Sequence, residues 1–175
     1  MKAKYGPIAQ IGMVTDDLDA SIARWIDTMG VGPWTVFRNV TLTGQFRGRD
    51  TLIRMDVGLA YQGDTQIELI HVTNGAASPY LAPDGTALLG MHHVAWLTDD
   101  LDALLVNALA DGLQIAFRAE SPGTRVAYLE MPGETGVFFE FIESAQTRQL
   151  IADGIAATKN WNGSDPVQII DFDRL

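Results

Sequence analysis

The sequence predicts an α+β protein in which one β-α-β-β-β unit occurs twice. The hexapeptide TDDLDA stands at residues 15–20 and again, 83 positions later, at residues 98–103. In the same register the apolar run 8–14 aligns with the run 91–97, so that Gln10 corresponds to His93. Both runs are followed by a helix-like pattern and by three strand-like segments. Two copies of such a unit are expected to pack as halves of one domain.

The first unit follows from apolar patterning and chain-breaking residues. A short apolar run between Pro7 and an acidic cluster is typical of a buried strand. The acidic cluster suits a helix N-terminus, and Gly30 is predicted to end that helix. β-Branched and aromatic residues then predict two strands joined by a polar loop at 44–49. The predicted elements are strand 8–14, a helix from residue 16, and strands 34–40, 51–61 and 66–72.

The second unit repeats this order after a linker rich in proline and glycine at 74–85. Its predicted elements are strand 91–97, helix 99–110, and strands 113–119, 125–131 and 136–142. A last helix at about 145–161 and an apolar segment at 167–172 form a tail, which we expect to cover the sheet or to contact another subunit. The predicted organisation is a first module (1–73), a linker (74–90), a second module (91–143) and a C-terminal helix with its tail (144–175).

Composition excludes several classes of function. The 175 residues are 47% hydrophobic and carry a formal net charge of −10. Nucleic acid is an unlikely ligand for so acidic a chain, because binding to phosphates requires clustered Lys and Arg. The absence of cysteine excludes disulfides, thiolate nucleophiles and Cys-ligated zinc. No run of about 18 apolar residues indicates a membrane span, so we expect a cytoplasmic protein.

Four predicted strands carry one hydrogen-bonding or ionisable residue near their centres. These are the first and last strands of each copy, and the residues are Gln10, Glu68, His93 and Glu140. A carboxylate between phenylalanines, as at Glu140, is costly to bury unless another charge compensates it. A divalent cation would do so. No short ligand motif such as HxxxH accompanies these residues, so spacing alone does not establish a metal site.

The paired units, the Asp-Asp-Leu-Asp opening of each helix and the closing strands with Glu68 and Glu140 resemble the vicinal oxygen chelate superfamily. That superfamily includes glyoxalase I, methylmalonyl-CoA epimerase, bleomycin-resistance proteins and extradiol dioxygenases. The resemblance covers about residues 7–143. It implies tandem βαβββ modules that form an eight-stranded mixed-sheet cup, with a divalent metal bound by the first and last strands of each module.

Matched residue by residue, the resemblance implies that Gln10, Glu68, His93 and Glu140 are the metal ligands. The set is similar to that of some glyoxalase I enzymes, and Zn, Ni, Co, Mn or Mg are the candidate ions. His92 neighbours a ligand position, but strand alternation predicts that it faces the other way. The physics favours proton transfer, because a divalent ion polarises a carbonyl while a carboxylate moves the proton. Glu140 and Glu68 are the candidate base and acid, in either order.

We therefore expect a metal-dependent lyase or isomerase, of the glyoxalase or epimerase kind, that acts on a small oxygenated substrate. One alternative is a metal-free binding or resistance-type protein that uses the same cup. Another is a ring-cleaving dioxygenase, which the scarcity of histidine disfavours. Residues 38–63 contain no Glu, so the additional catalytic glutamate of the epimerases has no match.

Three further residues are predicted to bind the substrate: Trp34, Arg38 and Phe138. Aromatic residues are more often core residues than ligand contacts, and an arginine in an acidic protein more often pairs with surface carboxylates. The resemblance also implies a homodimer.

Overall fold

The computed structural model describes residues 3–174. Met1 and Lys2 of the predicted first module and Leu175 of the predicted tail lie outside the described residues. The first half contains β1 (Gln10–Val14), α1 (Leu18–Met29), β2 (Trp34–Phe46), β3 (Arg49–Gln62) and β4 (Thr65–Val72). The second half contains β5 (Gly90–Thr98), α2 (Leu101–Ala110), β6 (Gln114–Ser121), β7 (Thr124–Glu130) and β8 (Phe138–Glu143). The chain ends with α3 (Ala145–Asn160), β9 (Val167–Asp171) and a short 3₁₀ turn (Phe172–Arg174).

Eight strands close into a barrel. Their order is β3-β4-β1-β5-β8-β7-β6-β2, and an additional pairing of β2 with β3 closes the ring. The two halves meet where β1 runs antiparallel to β5 and where β2 runs antiparallel to β6. Within each half the first strand is parallel to the last strand. The predicted cup of tandem βαβββ modules followed by a C-terminal helix is thus confirmed.

Three apolar clusters hold this barrel together. One fills its interior and includes Ile53, Phe117 and Tyr128. The other two lie outside the barrel, where α1 and α2 each cover one half. Burial of these side chains is the main stabilising term, at about 1.5–3 kcal/mol for each large apolar residue.

The repeated TDDLDA hexapeptide forms the two helix starts. The Asp17 carboxylate accepts a hydrogen bond from the Ala20 backbone N–H at 2.9 Å, and Asp100 accepts one from Ala103 at the same distance. Both aspartates are therefore N-caps. Gly30, with φ of 66°, ends α1 in the left-handed conformation.

The prediction of a polar loop at 44–49 is wrong. Both strands continue through this segment, and the hairpin turns at Arg47 and Gly48. Residues 44–46 are strand because they pair with β6 of the second half, which is distant in sequence. Gly44 permits this approach, since a Cβ there would lie 2.1 Å from the Arg118 carbonyl oxygen.

The tail covers the barrel. β9 is parallel to β2 along Trp34–Arg38, and α3 packs against β3. The Tyr61 hydroxyl on β3 donates a hydrogen bond to the Leu150 carbonyl of α3 at 3.1 Å, and Gly154 lies directly on the Tyr61 ring. None of the helices in residues 3–174 has the length and apolar character that crossing a membrane requires.

The contact between α3 and β3 predicts an unusual effect of Gly154→Ala. At an open helical site this change stabilises by about 1 kcal/mol. Here the new Cβ would lie 1.9 Å from the Tyr61 ring, so overpacking, which costs about 1–3 kcal/mol, should outweigh the gain. Thermal denaturation should show a lower melting temperature than wild type. The exposed Ala156→Ser in the same helix should be near neutral, and a stabilised Gly154→Ala variant would contradict this contact.

Candidate metal centre

Strand register brings the four predicted ligand positions together. Gln10 on β1 is flanked by Gln66 on β4 and by Ala95 on β5, and Ala95 pairs in turn with Glu140 on β8. In the neighbouring row Gly12 on β1 lies between Glu68 and His93. Because residues two apart in a strand share a face, both rows point into the barrel.

Three oxygen atoms converge on one ring nitrogen. His93 Nε2 lies 3.1 Å from Glu140 Oε2, 3.2 Å from Glu68 Oε2 and 3.2 Å from Gln10 Oε1. The His93 side chain is fully buried, and the side chains of Glu140 and Glu68 are 6% and 15% exposed. The predicted residues therefore form a single cluster inside the barrel.

Gly12 makes room for the His93 ring. A Cβ at position 12 would lie 1.9–2.5 Å from three atoms of the imidazole. The ring therefore lies across the glycine, with Nε2 directed at the carboxylates.

The prediction that His92 faces away from the cluster is wrong. The pairing of β1 with β5 shifts after Gly12, which pairs with His93, so that Met13 pairs with Met91. His92 is the extra residue of this β-bulge, and a bulge interrupts the alternation of side chains. Its ring is 3% exposed, and its Nδ1 lies 2.9 Å from Nδ1 of His93.

A backbone carbonyl sets the direction of the hydrogen bonds through both histidines. His92 Nε2 lies 2.9 Å from the Pro79 carbonyl oxygen, which only accepts, so this nitrogen is the donor. Burial, together with the adjacent charge of His93, lowers the pKa of His92 to about 3. Neutral His92 therefore accepts at Nδ1 from the Nδ1–H of His93. His93 Nε2 is thereby directed to the carboxylates, and neither nitrogen of His92 is free to bind a metal.

The charges of the cluster shift the pKa values of its members. Burial alone lowers the pKa of His93, but the carboxylates of Glu140 and Glu68 outweigh it and raise this pKa to about 10. Burial raises the pKa of Glu140, and the positive charge of His93 opposes that shift. Despite its ion-pair distance to His93, Glu140 Oε2 is buried without a hydrogen bond from any described residue. A buried acceptor of this kind is suited to a cation.

The donor set fits a divalent ion. Two ligands of one ion, each about 2.1 Å from it, lie about 3.0–3.4 Å apart, and the three distances to His93 Nε2 are 3.1–3.2 Å. One imidazole, two carboxylates and one amide oxygen suit Zn, Ni, Co or Mn, and the two carboxylates neutralise the charge. Within residues 3–174 no group of three or more His, Cys, Asp or Glu side chains is arranged so that it could hold a metal ion. Binding therefore requires the four side chains to adjust.

A cavity of about 180 Å³ adjoins the cluster, and Gln10, Glu68 and Glu140 form part of its wall. The rest of the wall is mainly apolar, with Leu150 of α3 on one side. Among the described residues no Lys or Arg lines it. A larger groove, of about 830 Å³, is lined by His92 and Phe138 but, among the described residues, by none of the four cluster residues. The smaller cavity is therefore the candidate substrate site.

The three predicted substrate-binding residues do not line this cavity. Trp34 is fully buried on the outer side of the barrel beneath α1, where its indole N–H donates to the Val31 carbonyl oxygen at 2.8 Å. Phe138 packs against the ring of His92, with centroids 5.1 Å apart. Trp34 is the clearest error, because strand alternation turns it toward the helix.

Arg38 is held in ion pairs on the outer part of the sheet. Its guanidinium donates to Asp56 at 2.8 Å and also contacts Asp19. Because both partners are carboxylates of this chain, Arg38 has the structural role that an arginine of an acidic protein usually has.

Sequence analysis missed Gln66, Tyr61 and the tyrosine pair of the cavity wall. Gln66 donates to the Tyr61 hydroxyl and accepts from Gln10. The hydroxyls of Tyr80 and Tyr128 are 2.9 Å apart beside Glu140. Gln66 precedes Glu68 by two residues, so alternation along β4 was a signal for it. The tyrosines gave none, because their partners are distant in sequence.

Gly12→Ala tests the contact that orients His93. The new methyl group must displace the ring, which should destabilise the fold by about 1–3 kcal/mol and change the His93 imidazole resonances in ¹⁵N NMR spectra. Gly75→Ala is the matched control, since nothing lies within 4 Å of a Cβ at position 75. Imidazole resonances that stay at their wild-type positions in Gly12→Ala would contradict the geometry described.

Comparison with solved structures shows the same fold in distant relatives. The hypothetical protein BH1468 from Bacillus halodurans C-125 is 17% identical, with 78% of this chain and 92% of that chain covered and a TM-score of 0.54. Methylmalonyl-CoA epimerase from Mycobacterium tuberculosis is 19% identical, with coverage of 86% and 97% and a TM-score of 0.55. A Streptomyces coelicolor methylmalonyl-CoA epimerase variant in complex with 2-nitronate-propionyl-CoA is 24% identical, with coverage of 79% and 94% and a TM-score of 0.52.

No curated protein matches the chain. The family model described as Glyoxalase/Bleomycin resistance protein/Dioxygenase superfamily matches residues 9–128. This match spans more than half of the sequence and contains both helix starts, together with Gln10, Glu68 and His93. The chain therefore belongs to the glyoxalase/bleomycin resistance protein/dioxygenase superfamily, which is the vicinal oxygen chelate superfamily that its duplicated pattern resembles.

Proposed function

We propose that this protein is a divalent-metal-dependent lyase or isomerase that transfers a proton next to the carbonyl group of a small oxygenated substrate. The observation that carries the proposal is the convergence of Gln10, Glu68 and Glu140 oxygens on His93 Nε2 within 3.2 Å. Four strands from both halves of the barrel supply these atoms, and Gln10, Glu68 and Glu140 border a cavity.

The four side chains would hold the ion through Gln10 Oε1, His93 Nε2 and one oxygen each of Glu68 and Glu140. The bound ion supplies Lewis acidity toward a carbonyl or enediolate oxygen. His93 anchors the site, because its ring packs against Gly12 and its Nδ1 is hydrogen-bonded to His92.

The two glutamates are the groups that can accept and return the proton. Both carboxylates face the cavity. Since one oxygen of each carboxylate would hold the ion, the second oxygen of Glu140 remains for a C–H group of the substrate. Glu68 is the more exposed of the two and is the candidate partner acid. The mainly apolar wall would limit the access of water to the proton being moved.

The size and the charge of the cavity favour a small, uncharged substrate. Its volume of about 180 Å³ lies below the range of about 300–1,000 Å³ that is usual for pockets of drug-sized ligands. No cationic side chain of the described residues faces it. One methylmalonyl-CoA epimerase structure contains methylmalonyl-CoA, but residues 38–63 of this chain lack a Glu, which disfavours that substrate here.

A metal-free binding protein is the second candidate, and one observation favours it. Protonated His93 already lies at ion-pair distance from both glutamates, so one of their two negative charges is compensated without an ion. Ring-cleaving dioxygenase activity is less well supported, because it would need a second histidine ligand and both nitrogens of His92 are engaged. The homodimer implied by the resemblance and the cytoplasmic location expected from the sequence stay predictions.

Metal analysis of variants tests the centre. Purified protein should bind one divalent ion per chain. His93→Ala should weaken that binding by more than about 100-fold, since loss of outer-shell partners alone costs about 10–100-fold. His71→Ala, which changes a histidine outside the cluster, should bind as wild type does. Stoichiometric metal in both His93→Ala and Glu140→Gln would rule out the site.

Proton exchange in deuterated water separates an enzyme from a binding protein. With hydroxyacetone and acetoin as small probes, the metal-loaded protein should incorporate deuterium at the carbon next to the carbonyl, as followed by ¹H NMR. Glu140→Gln should slow incorporation by about 10²–10⁴-fold, the range for loss of a general base. Exposed Glu134→Gln should have no effect. Binding without exchange of any probe proton would favour the binding protein.

A further inference from the structure

A chain of three hydrogen bonds connects the candidate metal centre with α3. Gln10 Nε2 donates to Gln66 Oε1 at 2.7 Å, Gln66 Nε2 donates to the Tyr61 hydroxyl at 2.7 Å, and this hydroxyl donates to the Leu150 carbonyl oxygen at 3.1 Å. Gln10, Gln66 and Tyr61 are 4%, 1% and 6% exposed. We call this series the Gln10–Leu150 chain.

The last acceptor fixes the direction of the whole Gln10–Leu150 chain. A backbone carbonyl only accepts, so Tyr61 must give its single proton to Leu150. The Tyr61 oxygen can then only accept, which turns the NH₂ group of Gln66 toward it. Gln66 Oε1 is thereby left to face Gln10, and Gln10 must point its own NH₂ group at Gln66. Its amide oxygen is the atom that remains for the cluster.

This orientation matters because only the oxygen of an amide binds a cation. If Gln10 turned by 180°, its NH₂ group would face the centre and repel an ion. Oxygen and nitrogen of a glutamine have nearly the same shape, so packing alone does not choose between the two orientations. The hydrogen-bond partner makes the choice.

The Leu150 carbonyl belongs to α3, a part of the chain that the family model does not match. The match ends at residue 128, and α3 begins at Ala145. Its position over Tyr61 is fixed by the close contact at Gly154 and by Ile151, which is 8% exposed.

We propose that Gln66 and Tyr61 are positioning residues, and that α3, through its Leu150 carbonyl, keeps the amide oxygen of Gln10 directed at the metal centre. The inference rests on the proposed function, because it assigns a role to these residues in binding the same ion. It adds that the C-terminal helix is a structural part of the centre, although it contributes no ligand.

Co²⁺ is the probe, and its affinity and visible absorption are the readouts. Gln66→Met removes the acceptor at nearly constant volume and should weaken Co²⁺ binding by roughly 10–100-fold, as loss of an outer-shell partner does. Gln66→Glu, which burial favours in its protonated form, can still donate to Tyr61 and accept from Gln10, and it should retain most of the affinity. Tyr61→Phe should cause a smaller loss than Gln66→Met. Gly154→Ala, which displaces α3 from Tyr61, should also weaken binding.

The controls separate positioning from folding. Exposed Gln62→Met should bind Co²⁺ as wild type does, and the melting temperature of each variant shows whether the fold is retained. A purely structural role of Gln66 would lower the melting temperature of Gln66→Glu and Gln66→Met alike, without restoring Co²⁺ affinity in the glutamate variant. Equal affinity of Gln66→Met and wild type would overturn the proposal.

A metal-free measurement keeps this proposal distinct from the proposed function. In ¹⁵N NMR spectra of the protein without Co²⁺, Gln66→Met should shift the carboxamide protons of Gln10, because they lose their acceptor. If wild type binds no Co²⁺, the proposed function fails, whereas a shift of the Gln10 resonances still supports the orientation. Unchanged Gln10 resonances in Gln66→Met overturn the positioning role whatever the metal result.

Discussion

The structure depends on the compensation of two carboxylates that lie together inside an apolar barrel. Glu140 follows two phenylalanines in β8, and its carboxylate lies beside that of Glu68. Two uncompensated charges at such a site would cost several kcal/mol each, a large fraction of the stability of a domain of this size. A positive charge at or near His93 Nε2 therefore stabilises the fold. A bound cation and a proton on His93 are two ways to supply it, and they compete for the same oxygens.

The parts of the molecule that the sequence predicts are those in which local pattern and duplication agree. The repeated hexapeptide marks two helix starts, and each start follows a strand, so the register of the two copies was available before any coordinates. That register equates Gln10 with His93, and the closing strands equate Glu68 with Glu140. Convergence then follows from topology, because in each copy the first strand lies parallel to the last. Strand periodicity and one duplication are enough to predict the cluster.

The remaining features depend on partners that are distant in sequence. The loop predicted at 44–49 is strand because β6 of the other half pairs with it. His92 enters the core because the pairing of β1 with β5 contains a bulge. No pattern in the local sequence predicts this bulge. Trp34 lies outside the cavity because α1 covers its face of the sheet. Each error arose where a contact between halves, or between a helix and the sheet, decided the direction of a side chain.

The two halves hold the equivalent candidate ligands, Gln10 and His93, by different means that share one physical basis. His93 is oriented by His92, whose Nε2–H donates to the Pro79 carbonyl, and Gln10 by the Gln10–Leu150 chain, which ends on a carbonyl of α3. In both cases a backbone group that can only accept forces the direction of every hydrogen bond between it and the ligand. The duplicated strands place the ligand atoms at one point, but they do not decide which atom of an amide or imidazole faces it. That decision comes from the linker in one half and from the C-terminal helix in the other, the two segments that the repeat does not contain. Segments outside the duplicated fold therefore complete the centre.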